Sequence, residues 1–283
     1  MSEKITQKLI IGFEGKKIPD YIKRFVGKYD IGGIILFNRN FSDIDDLANL
    51  TNAIKKMGVS IICIDQEGGS KSRIEKINIP SPWELGRLND LQNIYLSFRK
   101  MAIELARLNI NLNLAPCCEI GFDGSYIKQR TFGTDPFYIA LCVKKAVEGM
   151  TNAGIDCCIK HFIGLAKTSL DPHQKLPVSH FDETELLPFK AGIDGGAKYL
   201  MTTHIVIPEI SNEILTYSTD VITYIRDKLN YEGLIVTDDL LMSALDDLPL
   251  IDRINRSIEA GYDRIILSIA SEAILNIILD RRW

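Results

Sequence analysis

The stretch GLIVTDD, residues 233–239, places three aliphatic residues in a row before two acids. Such a run, with no polar alternation, is typical of a parallel strand that is buried on both faces. Seven other stretches have the same character: LIIGFE (9–14), GGIILF (32–37), SIICID (60–65), LNLAP (112–116), CCIKHF (157–162), KYLMTTHI (198–205) and RIILSI (264–269). Together with GLIVTD (233–238) they make eight strands that alternate with helical patterns. This order predicts a single (β/α)₈ barrel over residues 1–283, an α/β fold.

An open, doubly wound sheet is the rival interpretation, and the polar residues at the strand ends favour the barrel. Asp65, His161, His204 and Asp238 fall at or near the carboxyl ends of four predicted strands. In a barrel these ends meet at one mouth, which is where active sites lie, whereas in an open sheet they would lie along an edge. We therefore expect the four side chains to gather at the mouth of a barrel.

Three helix starts carry capping signals. Ser81-Pro82-Trp83-Glu84 opens an apolar pattern that predicts one helix from Trp83 to Leu108. Asp135-Pro136 and Asp182-x-x-Glu185 open two more in similar ways. Only one short helix, at about 271–281, follows the last strand, which suggests a barrel that is irregular or shortened at this end.

Composition excludes several classes of protein. The 283 residues are 46% hydrophobic and 25% charged, with a net charge of −4, so neither nucleic acid nor an anionic membrane is an expected partner. The N-terminus lacks an export signal, and we expect a cytoplasmic protein. The six cysteines show no zinc spacing and are interpreted as buried, reduced core residues rather than disulfides.

The motif IDQEGGSKSR (64–73) delivers Asp65 and Glu67 before a tight Gly68-Gly69 turn, and Arg73 follows. Glycines allow the backbone to come close to a ligand, and the arginine is able to neutralise the acids or to bind hydroxyl groups. A solvated acidic turn is the alternative.

The motif KHFIGLAKTSLDPH (160–173) ends a strand with Lys160 and His161 and then leads to Asp171-Pro172-His173. A carboxylate two residues from an imidazole fixes the tautomer of the ring and leaves its other nitrogen for proton transfer. A surface loop is the alternative.

The motif TDDLLMSAL (237–245) ends a strand with two adjacent aspartates, whose side chains point in opposite directions. One of them is able to face the barrel mouth as a nucleophile or base, and the other is able to hold the loop that follows. Two capping carboxylates would give the same pattern.

In RTFGTDP (130–136), Arg130 is either a substrate clamp or a surface charge.

Taken in order, these blocks resemble glycoside hydrolase family 3, specifically its β-N-acetylhexosaminidase branch. The resemblance covers most of the chain and includes GGIILFNRNF (32–41), IDQEGG (64–69), LNLAP (112–116), RTFGTDP (130–136), KHFIG (160–164), TSLDPH (168–173), MTTHIVIP (201–208) and TDDLLMSAL (237–245). The order and spacing of so many blocks is far more specific than any one of them.

The resemblance implies a retaining mechanism on a barrel. Asp238 matches the family nucleophile, while His173, assisted by Asp171, matches an acid/base that replaces the usual carboxylic acid. The residues that match those holding the terminal N-acetylglucosamine are Asp65, Arg73, Arg130, Lys160 and His161.

The cytoplasmic, single-domain form resembles the peptidoglycan-recycling type, which removes N-acetylglucosamine from muropeptides. The resemblance implies a small carbohydrate substrate and a monomer, and no metal or organic cofactor.

The chain departs from the family pattern in and near the catalytic loop. Ile163-Gly164-Leu165-Ala166 stands where Pro-Gly-His-Gly is usual, Pro172 replaces a serine, and Ser70 replaces an arginine. These changes leave room for a sugar-binding pseudoenzyme. A family 3 β-glycosidase of other specificity is a further alternative, as is a metal-dependent hydrolase using His161, His173, His204 and an aspartate.

Overall fold

A computed structural model describes residues 5–168 and 176–280 of the chain. Eight parallel strands close into a barrel, in the order β1-β10-β9-β6-β5-β4-β3-β2, and a small two-stranded sheet pairs β7 with β8. The predicted (β/α)₈ barrel is confirmed. The barrel strands are Leu9–Ile11 (β1), Gly33–Leu36 (β2), Ile62–Ile64 (β3), Leu112–Asn113 (β4), Asp156–Phe162 (β5), Tyr199–Thr202 (β6), Leu234–Asp239 (β9) and Arg264–Leu267 (β10).

The barrel closes through pairing between its first and last strands. Leu9 is in register with Ile265, and Ile11 with Leu267. The short helix after β10 therefore follows a closed sheet, although the pairing of β10 with β9 shifts register between Arg264 and Ile266. Side chains from the strands fill the interior, among them Ile10, Ile35, Cys63, Leu112, Cys158, Met201, Val236 and Ile266.

Helices surround the sheet, and their apolar faces pack against it. Within the described part of the chain they are Asp20–Lys28 (α1), Ile44–Lys56 (α2), Pro82–Arg87 (α3), Leu91–Arg107 (α4), Pro136–Thr151 (α5), Leu186–Asp194 (α6), Thr219–Leu229 (α7), Leu250–Ala260 (α8) and Glu272–Asp280 (α9). The predicted starts at Ser81 and Asp135 are confirmed, since each side chain accepts a hydrogen bond from the first turn.

The single helix expected from Trp83 to Leu108 is two helices, α3 and α4. Asn89 takes a left-handed conformation with φ of 52° between them. Asp90 then caps α4 by accepting from the N–H of Asn93 at 3.0 Å. Periodicity could not reveal this break, because the apolar pattern continues from α3 into α4 without interruption.

Six of the eight strand predictions were too long, and one hairpin was not predicted. The fourth strand ends at Asn113, close to Pro116, which has no N–H to donate to a sheet. The sixth ends at Thr202, and its continuation forms a hairpin from Val206–Ile207 (β7) and Ser211–Ile214 (β8). This hairpin lies beyond the carboxyl end of the barrel strand that precedes it.

All six cysteines are buried and unpaired, as the sequence predicts. Burial raises the pKa of Cys117 and of Cys142 to about 12, so both thiols keep their protons at neutral pH. Among the helices of the described residues, none combines the length and apolarity that a membrane crossing requires.

Candidate active site

A cavity of about 330 Å³ opens at the carboxyl ends of the barrel strands. Six of the eight residues predicted for the site line it: Asp65, Arg73, Arg130, Lys160, His161 and Asp238. They come from four parts of the chain, since Asp65 follows β3, Arg130 lies in a 3₁₀ turn, Lys160 and His161 belong to β5, and Asp238 belongs to β9. The structure therefore gathers these residues at one mouth, as expected of a barrel.

A buried ionic network forms the floor of the cavity. Lys160 Nζ lies 2.7 Å from Asp65 Oδ1 and 2.8 Å from Glu67 Oε1. Arg130 donates two hydrogen bonds of 2.8 Å to the two oxygens of Glu67. Arg73 lies 3.3 Å from Asp65, and Arg130 Nη2 lies 3.0 Å from His161 Nε2. Each side chain is thus held in place by at least one neighbour, which preorganises the donors and acceptors of the site.

Electrostatics keep this network ionised. Burial by itself raises the pKa of a carboxyl group, but the charges of Lys160 and Arg73 outweigh it and lower the pKa of Asp65. Arg130 and Lys160 likewise outweigh burial at Glu67, whose pKa lies well below its usual value. Burial would lower the pKa of Lys160, but Asp65 and Glu67 raise it. Fixed charges and hydrogen-bonding groups therefore face the cavity at neutral pH.

The two aspartates at the end of β9 have different environments. Asp238 lines the cavity, and its Oδ1 accepts from the N–H of Asp239 at 2.8 Å. The carboxylate of Asp239 accepts from the N–H groups of Ser268 at 3.0 Å and Leu241 at 3.2 Å. Burial raises the pKa of Asp239. Asp238 thus faces the cavity, and Asp239 ties β9 to the end of β10.

His204 supports this strand end from behind. It is fully buried, with Nδ1 at 2.6 Å from Thr216 Oγ1 and Nε2 at 2.9 Å from the carbonyl oxygen of Asp239. A carbonyl oxygen only accepts, so Nε2 carries a proton. The sequence placed His204 at the mouth, and the structure places it beneath the mouth.

Asp171 and His173, the predicted acid/base pair, lie outside the described residues. The segment before them ends in a 3₁₀ turn, Leu165–Lys167, where the N–H of Ala166 donates to Glu119 at 2.8 Å. The segment after them pairs with the hairpin, since Ser179 donates to the carbonyl of Val206 at 3.0 Å. Both flanks of 169–175 are therefore attached to the carboxyl end of the barrel.

Several lining residues were not predicted as site residues. Glu67 was noted in its motif but not assigned to the site. Lys71 and Tyr126 are exposed at the rim, and Arg39 stacks on Phe37 with 4.2 Å between its guanidinium carbon and the ring centre. Arg39 belongs to GGIILFNRNF (32–41), one of the blocks that carry the family resemblance, but no role at the site was assigned to it from the sequence.

The residues proposed for the metal-dependent alternative do not come together in the described part of the chain. Within it, no three His, Cys, Asp or Glu side chains are grouped as metal ligands. Both nitrogens of His204 are engaged by Thr216 and Asp239. His173 lies outside the described residues.

Proteins of similar sequence identify the family of this chain. The chain matches the glycosyl hydrolase family 3 N-terminal domain over residues 1–279. It is 29% identical over 276 residues to a β-hexosaminidase of Stenotrophomonas maltophilia, covering 92% of this chain and 82% of that protein. These similarities extend across the whole barrel.

Solved structures of similar fold point to the same family. A family 3 β-N-acetylglucosaminidase from Paenibacillus superposes with a TM-score of 0.90 at 30% identity, over 99% of this chain and 57% of that one. NagZ from Neisseria gonorrhoeae gives a TM-score of 0.86 at 27% identity, over 95% of this chain and 83% of that one. The chain thus spans little more than half of the Paenibacillus protein but most of NagZ. From its sequence match and its barrel, the chain belongs to glycosyl hydrolase family 3, in the branch of the β-N-acetylhexosaminidases.

Proposed function

We propose that this chain is a retaining exo-β-N-acetylglucosaminidase, with one catalytic domain over residues 1–283. The observation that carries the proposal is the position of Asp238, at the end of β9 in the cavity that also contains the ionic network. A carboxylate beside ordered hydroxyl-binding groups is the arrangement that a glycosidase nucleophile needs.

The sugar-binding residues are proposed to be Asp65, Arg73, Arg130, Lys160 and His161. Charged donors and acceptors that are already fixed by one another bind hydroxyl groups with little loss of side-chain entropy. NagZ from N. gonorrhoeae has been solved in complex with N-trifluoroacetyl-D-glucosamine, which supports an N-acetylglucosamine site in a barrel of this kind.

The reaction proceeds in two steps. The carboxylate of Asp238 attacks the anomeric carbon while His173 donates a proton to the leaving oxygen, so that the glycosidic bond breaks and a glycosyl ester of Asp238 forms. His173 then takes a proton from water, the water oxygen attacks the same carbon, and Asp238 is released. Asp171 orients His173. The roles of His173 and Asp171 rest on the sequence resemblance, since both lie outside the described residues.

The proposed substrate is a peptidoglycan-derived muropeptide that ends in N-acetylglucosamine, hydrolysed in the cytoplasm by a monomer without a cofactor. Lys71 supports this substrate class, because it is exposed on the rim and, within residues 5–168 and 176–280, no carboxylate lies close enough to pair with it. A muramyl residue carries a carboxyl group, and its peptide carries more, so an exposed ammonium group at the edge of the cavity suits them.

Hydrolysis of p-nitrophenyl N-acetyl-β-D-glucosaminide, compared between the natural sequence and Asp238→Ala, tests the proposal. We expect turnover in the former and a loss of about a thousandfold or more in the variant. The matched control is Asp247→Ala, which removes an exposed aspartate of the same segment outside the cavity and should leave the rate unchanged. Azide added to Asp238→Ala should yield the α-glycosyl azide, because the small anion attacks from the face that the carboxylate has vacated.

Other outcomes decide between the remaining alternatives. Folded protein that binds N-acetylglucosamine without turnover would favour the pseudoenzyme. Faster hydrolysis of the glucoside than of the N-acetylglucosaminide would favour a β-glycosidase of other specificity.

A further inference from the structure

Glu119 is a buried carboxyl group that lies directly behind the sugar site. Only 3% of its surface is exposed, and it follows the end of β4 on the segment that bridges to Lys160. Oε2 accepts the N–H of Ala166 at 2.8 Å, and Oε1 lies 4.0 Å from Nδ1 of His161. In the described structure Oε1 has no hydrogen-bond partner, so the side chain faces the imidazole with an unused polar atom.

The contacts of His161 determine which of its nitrogens carries the proton. Arg130 Nη2 lies 3.0 Å from Nε2, and a guanidinium group donates but never accepts. Nε2 therefore accepts, and the neutral ring carries its proton on Nδ1, facing Glu119. A sugar hydroxyl that replaced Arg130 at Nε2 would let this proton move to Nε2 and leave Nδ1 as an acceptor.

The surroundings of Glu119 keep its own proton in place. The ionisable groups that face it are Cys117, Arg130, His161 and Glu185, and a small apolar cluster of Cys117, Ile127, Leu165 and Ala166 adjoins it. Burial raises the pKa of Glu119 to about 8, and Glu185 adds to the rise, while the N–H of Ala166 and Arg130 oppose it. Since Oε2 accepts from Ala166, the proton of the neutral group lies on Oε1. The 4.0 Å between Glu119 Oε1 and His161 Nδ1 is longer than a hydrogen bond.

We propose that Glu119 is a positioning residue that holds the ring of His161 with one carboxyl oxygen and the Leu165–Lys167 turn with the other. When sugar occupies the site, Oε1–H donates to Nδ1, and Nε2–H is presented to a sugar hydroxyl oxygen. Glu119 thereby sets the tautomer that binds substrate and fixes the start of the segment that leads to Asp171 and His173. This inference rests on the proposed glycosidase function.

The test compares two substitutions of similar length. Glu119→Gln keeps one acceptor and one donor, the pattern of a neutral carboxyl group, so its KM should stay within about twofold of the natural value. Glu119→Met removes both groups and should raise KM for the p-nitrophenyl substrate about three- to tenfold, with a smaller change in kcat. In a His161→Ala background the methionine substitution should change KM by less than about twofold, because its effect acts through the imidazole.

Glu148→Met is the control, since Glu148 is a partly buried glutamate that pairs with Lys145 on α5 and lies outside the cavity. It should not raise KM. The pH profile keeps the inference testable even if Glu119→Met fails to fold. Natural kcat/KM should fall above pH 8 as Glu119 loses its proton, and Glu119→Gln should extend activity to higher pH.

Three results would overturn the inference. The first is a KM that rises as much in Glu119→Gln as in Glu119→Met, and the second is a methionine substitution that raises KM by the same factor with and without His161→Ala. The third is a decline of kcat/KM at alkaline pH that is identical in Glu119→Gln and the natural sequence. Absence of turnover in the natural protein would instead count against the proposed function. The inference is then decided by N-acetylglucosamine affinity, measured calorimetrically in the same variants, and undetectable binding by the natural protein would overturn it too.

Discussion

Arg130 binds Glu67 with two parallel hydrogen bonds of 2.8 Å each, and only 2% of the glutamate is exposed. This pair connects the turn that carries Arg130 to the segment that follows β3. A bidentate arginine–carboxylate pair fixes both side chains in one geometry, so it orders the centre of the cavity.

Breaking this pair should be costly. Arg130→Met leaves Glu67 buried with Lys160 as its remaining cation, and we expect the free energy of unfolding to drop by about 3–5 kcal/mol. Urea denaturation followed by circular dichroism measures the change. Adding Glu67→Gln should restore part of the loss, because it removes a buried charge that has lost one of its two cations; strictly additive losses would contradict the coupling.

Lys71 should matter only for charged leaving groups. For a disaccharide of N-acetylglucosamine and N-acetylmuramic acid, Lys71→Met should lower kcat/KM about two- to fivefold, and for neutral chitobiose it should change nothing. The difference should shrink as salt is added, since the lysine is exposed. Lys76→Met, an exposed lysine outside the cavity, is the control. Equal losses on both disaccharides would rule out charge recognition by Lys71.

The acid/base role of His173 predicts a dependence on the leaving group. His173→Ala should slow substrates with poor leaving groups by about a hundredfold or more, and it should affect an activated dinitrophenyl glycoside far less. Rates for a series of aryl glycosides, plotted against the pKa of the phenol, measure this dependence. An equal loss across the series would count against protonation by His173.

The raised pKa of Glu119 predicts how stability depends on pH. Its value of about 8, compared with an ordinary 4.5, means that the folded state binds the proton more tightly than the unfolded state. This contribution is complete below about pH 4.5 and is lost as pH rises through 8. Glu119→Gln should therefore flatten the decline of the unfolding free energy between those limits. Parallel curves for both proteins would show that Glu119 does not carry this linkage.

Strand-end positions made much of the site predictable. Asp65 and Asp238 each close an aliphatic run, and the carboxyl ends of barrel strands converge, so a shared mouth followed from periodicity alone. Arg130 and Arg73 lie in turns, where nothing local distinguishes a ligand clamp from a surface charge. Their placement came from the resemblance, and the structure brings both to the cavity.

Glu119, in contrast, was out of reach of the sequence. Its partners come from elsewhere in the chain, since Ala166 donates a hydrogen bond to it and His161 on β5 approaches it to 4.0 Å. The break between α3 and α4 was missed for a related reason. The left-handed turn at Asn89 leaves the apolar face continuous, so periodicity shows no interruption.

Closure of the sheet by β1 and β10 also constrains how the chain acquires its fold. Leu9 and Ile265 are paired partners, yet they are nearly the whole chain apart. During synthesis β1 has one neighbour, β2, until the last strand emerges from the ribosome, so its other edge stays open for most of translation. Such a nonlocal pairing slows folding, and the exposed strand edge is the point at which nascent chains of this protein should need protection from association.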